Sequence, residues 1–139
     1  MYLTYAQYQA YGGTLDETTF NDYEFEARTR VDWYTFNRLQ NDTTFPESVT
    51  RCMYKLIQLI EKEAKASQVG GDESGDGAVS AGVASQSNDG VSISYNVLSA
   101  KDLMDSVQKD VELCIKHYLQ SVTNSLGYKL LYRGLYPGE

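Results

Sequence analysis

The chain is poor in the residues from which most catalytic and metal sites are built. It has one histidine and two cysteines in 139 residues, too few for a zinc spacing motif. The histidine, His117, falls near the end of a predicted helix, where a surface imidazole interacting with the negative helix end is expected. Cys114 lies three residues before it, a helical contact spacing, but Cys114 belongs to an apolar stripe and reads as a buried, inert thiol. Gly70-Gly71 and Gly75-Asp76-Gly77 are not a phosphate loop, because no Lys-Ser/Thr follows and no strand precedes. Asp72, Glu73 and Asp76 do not follow the order of an EF-hand loop, so a solvated acidic loop is favoured over a calcium site. No triad and no nucleotide fingerprint is present. The expectation is a non-enzyme without metal or cofactor.

Other scarcities narrow the class further. No uninterrupted apolar segment approaches the roughly 18 residues of a membrane span. The opening Met1-Tyr-Leu-Thr-Tyr-Ala-Gln-Tyr8 lacks the basic stretch and apolar run of a signal peptide, so an intracellular protein with no membrane partner is expected. Bases are outnumbered, 12 Lys and Arg against 19 Asp and Glu, for a net charge of −7. Such a chain repels phosphate backbones and disfavours tight nucleic-acid binding. Cys52 and Cys114 both fall on apolar helix faces; reduced thiols suit that setting, and a disulfide between the two helices is the alternative.

What the chain does have is tyrosine, 12 in all, which suits either interfaces or half-buried helix faces. It also has helical periodicity. Thr4 can cap a short helix that Gly12-Gly13 stops. Asp16 can cap a second, with Phe20, Tyr23, Ala27, Val31 and Tyr34 as its buried stripe and an end near Leu39–Asp42. Thr44-Phe-Pro-Glu47 reads as a capping box for a third, whose stripe is Val49, Cys52, Met53, Leu56, Ile57 and Ile60. Ser99 and Asp102 open a fourth, with Leu103, Met104, Val107, Val111, Cys114, Ile115, Tyr118 and Val122 inward and an end around Asn124–Gly127.

Between the third and fourth helices the composition turns to Gly, Ser, Ala and Asp, with too little apolar surface to offset its ordering entropy. A flexible loop is expected there. Asn88-Asp89-Gly90 is a turn signal, and Val91, Ile93 and Tyr95 alternate with serines, so a two-stranded hairpin projecting from the body is expected. The last segment, from Tyr128 to Tyr136, is aromatic, apolar and basic, and nothing caps it as a helix. It reads as an extended arm, or alternatively as a segment packed back on the helices. The fold class is therefore mainly α: one domain over 1–139, an antiparallel bundle of about four helices with a hairpin and loop over 66–98 and a C-terminal arm over 127–139.

The order of these parts resembles the head–tail connector (adaptor) proteins of long-tailed phages and prophages of Gram-positive bacteria. The resemblance rests on the opening from Tyr2 to Glu17, the segment Arg30-Val-Asp-Trp-Tyr-Thr35, the hairpin Ser87-Asn-Asp-Gly-Val-Ser-Ile-Ser-Tyr95 and the tail Leu130-Leu-Tyr-Arg-Gly-Leu135. It covers nearly the whole chain but includes no catalytic signature. The glycine-rich run 70–82 departs from it. It implies a virion protein at the head–tail interface, assembled in the host cytoplasm. Such proteins form a ring of copies, commonly twelve-fold, under the portal protein, and offer a platform to a stopper or tail-completion protein. DNA passes through without specific binding. By this resemblance Leu130, Leu131, Tyr132, Arg133 and Tyr136 would contact the portal, and Asp72, Glu73, Asp76, Asp89, Val91, Ile93 and Tyr95 would face the channel. The rival reading is a small acidic helical module that binds or regulates a host or phage protein.

Overall fold

A computed structural model describes residues 1–69, 85–88, 91–94 and 100–137. The order is α1 (Tyr5–Ala10), α2 (Glu17–Thr35), α3 (Glu47–Val69), β1 (Ser85–Asn88), β2 (Val91–Ser94) and α4 (Ala100–Leu119). The protein is mainly α, with four packed helices; α3 packs on both α2 and α4. None of these helices is long and apolar enough to cross a membrane. The two strands pair antiparallel, with Asn88 opposite Val91. Asp72, Glu73, Asp76, Asp89 and Tyr95 lie outside the described residues, as does Ser99; Val91 and Ile93 stand on β2.

The two N-terminal caps form as the sequence directs. The Thr4 hydroxyl accepts from the Gln7 amide while the Gln7 side chain accepts from Thr4 N–H. Both orphan donors are thereby satisfied, which is what a capping box does. The Asp16 carboxylate accepts from the Thr19 amide and hydroxyl. These bonds favour the ionised form and hold the Asp16 carboxyl below the usual carboxylate range. Gly13 follows because the ring of Tyr8 lies against it: a Cβ there would sit 2.2 Å from ring carbons. Tyr8 in turn packs on Phe20 and Tyr54, with ring centroids 4.9 and 5.7 Å away.

The core is the junction of the stripes. Val49, Cys52, Met53, Leu56, Ile57 and Ile60 of α3 meet Val107, Val111, Ile115 and Leu119 of α4, and Leu3, Phe20, Ala27, Val31, Leu39 and Leu130 close it. Met104, expected inward, is exposed. On α2 the buried face is Phe20, Glu24, Ala27, Val31 and Thr35. Tyr23 and Tyr34, expected in that stripe, flank it half-buried. Glu24 is 1% exposed. Its carboxylate accepts the Tyr2 amide at 2.8 Å and pairs with Arg28 at 3.5 Å, the compensation a buried charge requires.

Three boundaries differ from the sequence expectation. α2 stops at Thr35, not at Leu39–Asp42, because Phe36 and Asn37 adopt left-handed backbone (φ 55° and 60°). That turn carries Arg38 and Leu39 inward. α3 opens at Glu47 without a Thr44 capping box: the Pro46 carbonyl takes the first amides, and the Glu47 carboxylate goes to Arg51 at 2.7 Å. α4 stops at Leu119, short of Asn124–Gly127. The Asn124 side chain accepts the Leu126 and Tyr128 amides at 3.1 and 2.8 Å, offering the backbone an alternative to helix. Gly127, at φ 80°, completes the turn, and the chain returns as a bridge pairing Thr123 with Lys129.

Candidate functional site

The tail does not stand away from the body. It is irregular, as its missing cap suggested, but residues 128–137 lie back on the end of the bundle. One side chain accounts for much of this. The left-handed turn at Phe36 drives Arg38 into the interior, where it is 7% exposed. Its guanidinium donates to the carbonyls of Lys129 (3.1 Å), Leu130 (3.3 Å), Tyr132 and Gly134 (2.7 Å). The same group lies between two rings, 5.3 Å from the Phe36 centroid and 4.9 Å from that of Tyr136. A planar cation with five donors suits this, where a lysine ammonium would not. Around it the Asp42 carboxylate accepts the Ser125 amide and hydroxyl. Asn124 donates to the Arg38 carbonyl at 3.3 Å.

The expected portal-contact residues therefore divide. Leu130 is fully buried and serves the core, so it is not a surface contact. Leu131 is half-buried against that core. Tyr136 is half-buried, stacked on Tyr128 at 4.2 Å and 3°, and its hydroxyl accepts from the Lys129 amide. Tyr132 and Arg133 are exposed. The extended arm is thus corrected to a folded-back segment, four of whose carbonyls meet Arg38.

Beside the folded tail lies a groove of about 1260 Å³, lined by one face of α2, the turn after it, the end of α4 and the tail. Its apolar wall is Phe25, Trp33 and Phe36, exposed at 63, 75 and 52%. Phe25 and Trp33 stand on α2, turned away from the core, and Phe36 follows in the turn that ends it. Its rim carries Arg28, Lys116 and Arg133, with Asp32 the acid among the lining residues. Asp32 is engaged: it accepts the Tyr2 hydroxyl and lies 3.4 Å from the Gln40 amide nitrogen. Burial, followed by that bond and the Asp32 charge, pushes the Tyr2 phenol well above its ordinary value. Lys116 is held by Glu112 at 2.6 Å, and Arg28 lies 5.3 Å over the Phe25 ring. The groove is thus aromatic, with bases along its rim of which Arg28 and Lys116 are already paired to Glu24 and Glu112.

Sequence reading missed Phe25, Phe36 and Arg38. The spacing 25, 29, 33, 36 repeats every three or four residues and could have been read as a second helix face; Arg38 carries no sequence signal. His117 is exposed, its ring edge-on to Tyr118. Among the described residues, no three His, Cys, Asp or Glu side chains gather to hold a metal ion. No protein-family model, no curated protein and no solved structure matches the chain.

Proposed function

We propose that this chain is a non-catalytic assembly protein: the connector between head and tail of a long-tailed phage, arranged as a ring beneath the portal. The observation that carries the reading is the groove that the exposed Phe25, Trp33 and Phe36 share with exposed Arg133 of the tail. Three aromatics exposed together along one groove are unusual for a monomer and mark an association surface. Aromatic and arginine side chains supply most anchoring energy at interfaces. In this reading the groove and tail receive the portal. The four helices form an antiparallel body whose sides pack copy against copy, a heterologous interface that closes into a ring. The acidic segment with Asp72, Glu73 and Asp76 faces the channel, where negative walls let DNA slide. The hairpin projects toward the channel or the stopper.

The same groove favours a second reading, a regulatory module that takes one apolar, acidic segment of a host or phage protein. Stoichiometry separates the two. Co-sedimentation with the portal of the same genome should give several copies per portal assembly, and Trp33→Ala should abolish it. One copy per partner chain, with no portal binding, would replace the connector by the module.

A further inference from the structure

The interface between α3 and α4 holds both cysteines of the chain, and both are free thiols. Cys52 is fully buried on α3. Cys114 is half-buried on α4 and opens onto a shallow depression of about 630 Å³. The ionisable groups facing that depression are Lys55 and Lys62 from α3 and Asp110, His117 and Tyr118 from α4. Each thiol is the other's chief ionisable neighbour. The neighbouring Cys114 and then burial push the Cys52 thiol up. The Cys114 thiol is lowered by its neighbour Cys52, and the Lys55 ammonium adds to the effect against burial. Cys114 is the one of the two that solvent reaches.

This is the layout of a reacting thiol backed by a resolving thiol. We propose that Cys114 and Cys52 form an oxidisable pair, with a peroxide as oxidant, that closes a disulfide between α3 and α4. The Cys114 thiolate attacks one peroxide oxygen, the O–O bond breaks, and hydroxide leaves to take a proton as water. Cys114 is then a sulfenic acid. Cys52 gives up its proton, and its sulfur attacks that of Cys114. The S–S bond forms, the S–O bond breaks, and the hydroxyl leaves with the proton as a second water. Two thiols and one peroxide become one disulfide and two waters; the sulfurs lose two electrons and the peroxide gains them. The bond closes the chain around everything from 52 to 114 and constrains the unfolded ensemble. The inference stands apart from the connector reading.

The test is hydrogen peroxide added to the purified full-length protein without denaturant, read by intact mass, non-reducing peptide mapping and thermal melting. The expected product is a monomer lighter by two hydrogens, with the 52 and 114 peptides linked and Tm raised. In Cys52→Ala, Cys114 should be trapped as its sulfenic acid by a 1,3-dione, and its alkylation–pH curve should move up toward the ordinary thiol value of about 8.5. In Cys114→Ser, Cys52 should alkylate at least about tenfold more slowly than Cys114 does in the companion variant. Far-UV circular dichroism checks that each variant folds, and Cys52→Val replaces the alanine if it does not. Oxygen added to Cys114 in the wild type without a link to Cys52, disulfides only between chains, or equal alkylation of the two thiols would each overturn the proposal.

Discussion

Arg38 joins the two parts of the chain that sequence reading kept separate. Its guanidinium satisfies four tail carbonyls in a nearly dry setting. Hydrogen bonds to a charged group contribute roughly 1.5–3 kcal/mol each and are not additive. Arg38→Lys, which keeps the charge but not the fork, should destabilise by on the order of 3 kcal/mol. Urea unfolding measures that loss, and limited proteolysis should show new cleavage after Lys129 or Arg133; an unchanged midpoint would mean that the tail needs no anchor. Tyr2 gives a pH-dependent counterpart. Its phenol, buried and donating to Asp32, has a raised value in the folded protein, whereas in the unfolded chain it ionises near about pH 10. Its stabilisation is therefore complete below that pH and is lost as pH rises toward the folded value. Tyr2→Phe should be less stable than wild type by about 1.5 kcal/mol at neutral pH, with the gap narrowing above about pH 10. A gap that widens there would contradict the assigned bond.

At the scale of elements, legibility followed the type of signal. The stripes of α3 and α4 were readable because burial at three- and four-residue spacing is what makes those helices stable, and the caps at Thr4 and Asp16 because a side chain alone makes them. The helix ends were not. α2 ends on Phe36 and Asn37 in left-handed backbone, a conformation that usually announces itself with glycine. α4 ends where Asn124 captures two amides, while Val122 continues the apolar spacing and imitates another turn. The tail misled for a related reason: its aromatic and basic residues look like an arm until Arg38, some 90 residues earlier, is placed beneath them. Of the expected contact residues, Tyr132 and Arg133 remained at the surface, and the groove beside them was not foreseen. If residues 128–137 belong to the core rather than to a free arm, Leu130→Ala should cost about 2–5 kcal/mol, the range for emptying a packed leucine site. Thermal unfolding checks this; a change within about 0.5 kcal/mol, as at an ordinary surface position, would restore the free arm.

The whole molecule presents two unlike faces. Acids outnumber bases in the chain, yet one end gathers Phe25, Trp33, Phe36 and Arg133 around an aromatic groove. Trp33 touches little of its own protein beyond the edge of Tyr34. Trp33→Ala should leave stability within about 0.5 kcal/mol of wild type while removing partner binding; if stability falls with binding, the aromatic face is structural rather than adhesive. The broader claim is that this end seats a ring of copies on a portal. Negative-stain microscopy of the protein mixed with the portal of the same genome tests that most directly. The connector reading requires a ring of added density beneath the portal, present with wild type and missing with Trp33→Ala. Portals without added density, under conditions where the wild-type protein is folded and in excess, would contradict it.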